Sequence, residues 1–236
     1  MAAKEKPTKP IKVTHVIFDL DGVIIESESV YEKIAAEIAE EYGKTYPIEV
    51  RAKVMGTPEP ETARIICQEL NLPITQEQFI KKYEEKVKKY LTNPDLLPGV
   101  EDLIKHLHAS GIPMAVATSS REDLMQMKTK NYSNLMSLFS HVVCGSSDPE
   151  VKLGKPNPDI FLVCASRFAK KPCLCHVLVF EDSPNGVAAA RTAGMQVVMI
   201  PNPDLPKDNP MRTNANQVIS TFSEFSYEDF GFPPRK

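Results

Sequence analysis

Two carboxylates stand one residue apart in Phe18-Asp19-Leu20-Asp21-Gly22-Val23, directly after the apolar run Val13 to Ile17. Backbone alternation would turn both to the same side if extension continued that far. Carboxylates at the end of a buried strand are costly unless something compensates them, and a divalent cation is the usual remedy. On that fragment alone the pair is either a metal site or a turn, since Asp-Gly is a common turn dipeptide. Three further groups could do chemistry. Thr118-Ser119-Ser120 offers hydroxyl donors, Lys155 in Gly154-Lys155-Pro156-Asn157-Pro158 offers a cation, and Glu181-Asp182 offers a second acidic pair.

The elements that position these groups bear on the choice. Val13 to Phe18, Met114 to Ala117 and Val177 to Phe180 read as short buried strands, apolar and bounded by polar or breaking residues. Asp19, Thr118 and Glu181 each follow one of them. Ser183 predicts a helix cap, Pro184 its first position and Gly194 its end. Lys155 opens the amphipathic stretch Ile160 to Phe168. Val142-Val143, Gln196 to Ile200 and Gln217 to Ile219 supply further strands, the last at an edge. From Leu97 to about Thr221 strand and helix signals alternate, which predicts an α/β doubly wound parallel sheet, a Rossmann-like core. In such a sheet the carboxyl ends of the strands form the ligand crevice. Asp19, Asp21, Thr118 and Asp182 would converge there, with Lys155 nearby. Turn chemistry explains any one of them, but not their equivalent places.

Between Val23 and Pro98 the texture is helical. Val30, Ile34, Ile38 and Tyr42 recur at four-residue steps and Gly43 stops the run. Pro58 to Leu70 reads as a second helix. Thr75 with Gln78 forms a capping box before Ile80, Tyr83, Val87 and Tyr90. The expected layout is a core of residues 1–24 and 95–236 and a helical cap of residues 25–94. Hinges would lie near Ile24 to Ser27 and Asn93 to Pro98.

The four motifs resemble those of the haloacid dehalogenase-like superfamily of phosphotransferases: Asp19-Leu20-Asp21, Thr118 after the second strand, Lys155, and Glu181-Asp182. Order and spacing match across nearly the whole chain. Within it the chain is most similar to the animal pseudouridine-5'-phosphatase group. That similarity rests on Lys53-Val54-Met55-Gly56, Ala117-Thr118-Ser119-Ser120-Arg121, Asp148-Pro149-Glu150, Pro158-Asp159-Ile160-Phe161 and Val179-Phe180-Glu181-Asp182. It continues through Pro184-Asn185-Gly186-Val187 and Ala193-Gly194-Met195-Gln196-Val197-Val198-Met199.

The resemblance implies a phosphomonoesterase with Asp19 as nucleophile, working through an aspartyl-phosphate. Asp21 would be the general acid, then the base that activates water. Thr118, the Ser119 backbone N–H and Ser120 would hold the phosphoryl group near a helix starting around Ser120. Lys155, preferred to Lys152 for its Lys-Pro pairing, would neutralise it and anchor Asp19. Mg2+ would sit on Asp19, the carbonyl of Asp21 and Asp182, with Glu181 behind them.

The cap loop Val54-Met55-Gly56-Thr57 would select the substrate, through Gly56 and Thr57. The implied substrate is pseudouridine 5'-phosphate or a similar small phosphate, with a glycerol-3-phosphate or sugar phosphate as the alternative. Related phosphomutases carry a basic residue just after that glycine, and the pseudouridine phosphatase pattern a lysine. Here Thr57-Pro58-Glu59-Pro60-Glu61 is acidic, which disfavours a mutase. A non-catalytic phosphate-binding protein is a further class, but a pure binder needs no acid–base aspartate.

Composition is ordinary for a soluble globular chain: 236 residues, 42% hydrophobic, 25% charged. A net charge of -3 gives no reason to expect nucleic acid as a partner. No apolar run approaches the ~20 residues of a membrane helix. Met1 to Pro10 is Lys- and Pro-rich, a disordered tail rather than a signal peptide. Cys67, Cys144, Cys164, Cys173 and Cys175 lack metal-finger spacing and read as reduced thiols of a cytoplasmic protein. The five histidines form no triad, and no Gly-x-Ser-x-Gly surrounds Ser119 or Ser120. The lysines of 81–89 read as a solvated helix face. A monomer is expected.

Overall fold

The computed structural model describes residues 12–54, 57, 59–202 and 214–234. The expected tail Met1 to Pro10, Met55, Gly56 and Pro58 of the cap loop, and the Pro-rich run after Asn202 lie outside the described residues.

Six strands form one parallel sheet in the order β3-β2-β1-β4-β5-β6. They are β1 (His15–Phe18), β2 (Met114–Thr118), β3 (Val142–Cys144), β4 (Val177–Glu181), β5 (Gln196–Met199) and β6 (Gln217–Val218). Apart from His15, Thr118 and Glu181 at their ends, the central strands β1, β2 and β4 are apolar because both faces of the sheet are covered. On one face Val16, Phe18, Val116 and Phe180 pack against helix α5 (Val100–Ala109) and the C-terminal aromatics Phe222, Phe225, Phe230 and Phe232. On the other, Ile17, Ala117 and Val179 pack against α8 (Asp159–Ser166) and α9 (Pro184–Thr192). The period-2 alternation of side chains thus feeds two separate cores.

The register sets the site. Phe18 pairs with Val116 on one side and Phe180 on the other, so β1, β2 and β4 end side by side. The strand order reverses its direction of growth at β1, between β2 and β4. That is the switch point where an open α/β sheet leaves its ligand crevice.

Four helices interrupt the chain after β1: α1 (Glu28–Glu40), α2 (Ile48–Val54), α3 (Glu59–Glu69) and α4 (Gln76–Tyr90). They share their own apolar cluster, centred on Ile34, Ile38, Ile66, Phe79 and Val87. The Thr75/Gln78 capping box forms as expected at the start of α4. Helix α2 was not expected; it has only seven residues, and among those whose burial is described Val50 is the one buried apolar residue, too little period to read. The two linkers pair with each other, Glu26 N–H donating to Asp95 C=O (2.8 Å) and Leu97 N–H to Ile24 C=O (2.9 Å). Between β2 and β3 lie α6 (Glu122–Thr129) and the short α7 (Ser133–Met136). Helix α6 starts two residues later than Ser120, because Arg121 is still extended (φ -69, ψ 155).

Candidate active site

Asp19 follows β1, and its backbone N–H donates to Phe180 C=O (3.0 Å). This bond fixes the residue against β4 before the chain turns at Gly22. The Asp19 carboxylate is buried and meets Lys155 Nζ at 2.5 Å; the same ammonium reaches Glu181 Oε1 at 2.5 Å. Glu181 Oε2 accepts the Asp182 and Ser183 backbone N–H groups (2.9 and 3.0 Å) and the Ser183 hydroxyl (3.1 Å). The Glu181 carboxylate is therefore fully engaged in holding Lys155 and the start of α9. Ser183 in turn accepts the Gly186 N–H (3.0 Å), the cap read from the sequence, and Pro184 opens the helix. Gly186 is required here, since a Cβ on it would lie 1.8 Å from Glu181 Oε1.

Asp21 is held by a different set. Its Oδ1 accepts from the Ser27 hydroxyl (2.7 Å), Tyr31 hydroxyl (3.2 Å) and Lys128 Nζ (2.7 Å). Its Oδ2 accepts from the Ser120 hydroxyl (3.0 Å) and Lys128 Nζ (2.6 Å). Lys128 also donates to the Tyr31 and Ser120 oxygens, and its side chain is fully buried. Burial pushes the Asp21 carboxyl up, but the charge and hydrogen bonds of Lys128, with Ser27 and Ser120, outweigh it and bring it below the usual range. Ser120 lines the same cavity and its hydroxyl donates to Asp21; its backbone N–H donates to Thr118 Oγ1 (3.1 Å).

Sequence reasoning missed Lys128. A signal existed: it lies four residues after buried Leu124, on the inward stripe of α6. Glu28, in the first turn of α1, was also missed. It lines the same cavity, and burial, then Asp21 and Asp19, raise its carboxyl to about 8.

The remaining candidates are placed plainly. Thr118, Ser119, Thr57 and Asp182 line one cavity of about 190 Å3 with Asp19, Asp21 and Lys155. Lys152 lies outside that lining and donates to Pro149 C=O (2.5 Å). His141 contacts Cys164 C=O (2.9 Å) and, with His15, the Phe168 ring; neither touches the cavity. The five cysteines are free. Lys86 of α4 pairs with Glu37 of α1 and Lys82 with Glu41 just past the end of α1, a partly neutralised helix face.

Charge in the cavity is unbalanced. Asp19, Asp21, Glu28 and Asp182 line it and Glu181 lies behind them, while the ion pairs among these five run only from Asp19 and Glu181 to Lys155 and from Asp21 to Lys128. Burial raises Asp19 to about 7 against the pull of Lys155, with Glu181 and Asp21 adding to the rise. Asp182 is raised well above the usual range by burial and then by Glu28, Glu181 and Asp19. Asp182 also packs on Gly22, where a Cβ would come within 2.4 Å of its Oδ2 and where φ is +74. Among the described residues no cluster of three or more His, Cys, Asp or Glu is arranged to hold a metal through side chains alone. Two buried, under-compensated carboxylates and a backbone carbonyl suit Mg2+, which takes few protein oxygens and completes its shell with water and phosphate.

The sequence matches the haloacid dehalogenase-like hydrolase family over residues 16–200. The chain therefore belongs to the haloacid dehalogenase-like hydrolases, and it is a phosphatase among them. A Drosophila melanogaster protein named "Probable pseudouridine-5'-phosphatase" is 46% identical over 222 residues, 94% of this chain and 95% of that one. The (DL)-glycerol-3-phosphatase 2 of Arabidopsis thaliana is 40% identical, over 94% of this chain and 92% of its own length. The fold is shared with a family IA hydrolase of Entamoeba histolytica (TM-score 0.74, 23% identity, 92% of this chain and 97% of that one). It is shared also with the beta-phosphoglucomutase of Clostridium difficile (TM-score 0.71, 21% identity, 92% and 94%).

Proposed function

We propose that this chain is a Mg2+-dependent phosphomonoesterase that works through an aspartyl-phosphate on Asp19. Its substrate is pseudouridine 5'-phosphate or a similar small phosphate. The observation that carries the reading is the Lys155 ammonium, 2.5 Å from Asp19 and from Glu181 at the floor of a cavity that Asp21 and Thr118 also line.

Asp19 attacks phosphorus and the ester oxygen leaves with a proton passed on by Asp21; Lys128 keeps that carboxyl ionised in the free protein, so the proton arrives with the ester bound as its monoanion. Asp21 then takes a proton from water as that water attacks the aspartyl-phosphate, releasing phosphate and restoring Asp19. Lys155 neutralises phosphoryl charge and keeps Asp19 aimed, while Thr118 donates its hydroxyl to a phosphoryl oxygen. Mg2+, held by Asp19, the Asp21 carbonyl and Asp182, would offset the negative charge that five carboxylates bring against a phosphate ester anion. Glu181, its oxygens already taken by Lys155 and the Asp182–Ser183 backbone, orders these ligands from behind.

Residues 25–94 act as a cap that closes over residues 1–24 and 95–236. The paired linkers at Glu26–Asp95 and Leu97–Ile24 are its hinge. A glycerol- or sugar-phosphate ester is the second reading, favoured by the 40% identical plant glycerol-3-phosphatase. A bisphosphate is disfavoured. Both arginines of the cavity already face glutamates, Arg51 with Glu32 and Arg121 with Glu84, and Thr57 holds the expected basic position. We place the enzyme in the cytoplasm as a monomer in nucleotide metabolism; the free cysteines support a reducing compartment, and no described helix is long and apolar enough to cross a membrane.

Phosphate release with Mg2+ from pseudouridine 5'-phosphate, uridine 5'-phosphate, glycerol 3-phosphate and sugar phosphates tests this, with Asp19→Asn as the blank. Preference for the pseudouridine ester supports the leading substrate. Preference for a polyol ester moves it to the second reading. No release from any ester defeats the phosphatase mechanism.

A further inference from the structure

Cys173 and Cys175 flank Leu174 in the short turn that leads into β4, and no step of the proposed reaction uses them. Both are exposed, whereas Cys67 is half-buried and Cys144 and Cys164 are buried. Their Sγ atoms lie 2.8 Å apart. The backbone explains this approach. Leu174 is helical, in a single 3-10 turn over Leu174–His176, and His176 N–H donates to Cys173 C=O at 2.8 Å. A helical residue between two cysteines draws their Cα atoms into the range that a disulfide spans, where an extended residue would hold them further apart. The turn is tied down on both sides. Gln196 of β5 donates its side-chain amide to Cys175 C=O (3.3 Å), and Thr14, ahead of β1, donates its N–H to His176 C=O (2.9 Å). The main chain is thus pinned to the sheet while both thiols stay open to solvent.

The two thiols are not equivalent. Cys175 donates to Cys173 through its thiol and its backbone N–H and holds Cys173 below the usual thiol range, while the same thiol contact raises Cys175. The thiolate is the attacking form, which makes Cys173 the first nucleophile and Cys175 the second. Among the described residues no third His, Cys, Asp or Glu joins the pair in a metal-holding cluster, and that favours sulfur–sulfur chemistry over a closed zinc site. The turn stands at the entry of β4 and the cavity at its exit. Five residues of strand separate them, roughly 15 Å at the rise of a β-strand.

We infer that Cys173 and Cys175 form a reversible thiol–disulfide site whose co-substrate is a low-molecular-weight disulfide. The Cys173 thiolate attacks one sulfur of R–S–S–R; a Cys173–S–S–R bond forms and one RS⁻ leaves. The Cys175 thiolate then attacks Cys173 Sγ, the mixed disulfide breaks, the second RS⁻ leaves and the Cys173–Cys175 bond forms. Two electrons pass from the protein to the small disulfide, and the two protons lost from the thiols end on two RSH. An excess of small thiol reverses both steps, so the pair is open in a reducing compartment and closes as the poise becomes more oxidising. The inference does not depend on the phosphatase reading, since the turn and the cavity sit at opposite ends of the strand.

The test exposes the reduced full-length protein to glutathione disulfide under native conditions, for wild type, Cys173→Ser and Cys175→Ser. Intact mass, thiol titration and peptide mapping read the products. Wild type is expected to lose two titratable thiols and keep no glutathione, with the crosslink mapped between Cys173 and Cys175 of one chain. Excess reduced glutathione should restore both thiols. Cys175→Ser is expected to stop at the mixed disulfide, one glutathione held on Cys173. Cys173→Ser should form its mixed disulfide several-fold more slowly, because the less acidic thiol is the one left; equal rates in the two variants would overturn the order of attack. The site itself is overturned if wild type ends with glutathione on either cysteine, if both thiols stay free, if Cys67 reacts as fast as the pair, or if the crosslink joins two chains. A melt of each variant checks its fold, and should either serine variant not fold, the wild-type map alone decides.

Discussion

Lys128→Met removes the ammonium that Asp21 depends on, and the structure sets the size of the effect. Lys128 Nζ lies 2.7 and 2.6 Å from the two Asp21 oxygens and also reaches Ser120 Oγ (2.8 Å) and Tyr31 Oη (3.1 Å). Met fills much of the same volume, so the lost packing is small. What remains is a buried carboxylate with only hydroxyl partners, and breaking a buried pair from one side costs ~3–5 kcal/mol. For a chain of this size 1 kcal/mol moves Tm by about 2–4 °C, which makes the expected drop on the order of 10 °C. The sign with pH follows from the depressed Asp21 carboxyl. Its pairing stabilises wild type above the unfolded value of about 4 and that stability is lost as pH falls through the folded value. The variant should therefore differ most from wild type near neutrality and converge with it in acid. Asp21→Asn in the same background should recover a large part of the loss, because the unpaired charge is gone. The measurement is a double-mutant cycle by thermal melting. A single-variant cost below ~1 kcal/mol, or no recovery in the double variant, would refute the view that this pair is a desolvated, mutually dependent unit.

Three other expectations follow from the same geometry. Asp19→Asn should lower phosphate release more than ~10³-fold while leaving the melting temperature near or above that of metal-free wild type, since it removes one member of an over-charged cluster; kinetics and a melt read both. Gly186→Ala drives a Cβ to 1.8 Å from Glu181 Oε1, so it should displace Glu181 from Lys155, cost about 1–3 kcal/mol and cut kcat at least tenfold; urea denaturation and turnover check it. Asp19 at about 7 and Glu28 at about 8 lie above their unfolded values, so their contribution is present in acid and lost as pH rises toward 8 in metal-free protein. Mg2+ should then raise Tm more near pH 8 than near pH 5, and an equal gain at both would count against a metal on this cluster.

The sheet was legible because its signal is local. Each core strand is a short apolar run ending in a polar residue, and Ser183-Pro184 announces a helix by capping chemistry that does not depend on the rest of the chain. The positions of the candidate groups were legible for the same reason: they sit at strand ends, so finding the strands locates Asp19, Thr118 and Glu181. What surrounds Asp21 was not legible, because it is assembled from residues far apart in sequence. Lys128 meets Asp21 across 107 positions, and its neighbours in α6 give no reason to expect a lysine in the interior beyond its place one turn after Leu124. Ser120 lines the cavity, but the partner of its hydroxyl was not legible. Its type fits phosphate binding, but a carboxylate with two oxygens and a buried lysine beside it is the stronger partner, so the hydroxyl turns that way.

The two lysines divide the acids into two circuits, and that division bears on how one site can hold both a nucleophile and a proton carrier. Lys155 joins Asp19 to Glu181 and through it to the start of α9, all within the sheet core. Lys128 joins Asp21 to Ser120 of the core but also to Tyr31 of the helical insert, and Ser27 of the linker donates to the same oxygen. Movement of the insert would leave the first circuit untouched and loosen the second. The nucleophile would then stay aimed in every position of the cap, whereas the acid–base group would be ordered only when α1 is seated. Tyr31→Phe isolates that link: it deletes the hydroxyl shared by Lys128 and Asp21 without opening a cavity. Turnover of an ester with a poor leaving group, which needs Asp21 to protonate it, should fall more than that of an activated aryl phosphate, which does not. Equal losses on the two esters would mean that Tyr31 serves the fold of the insert and not the placement of Asp21.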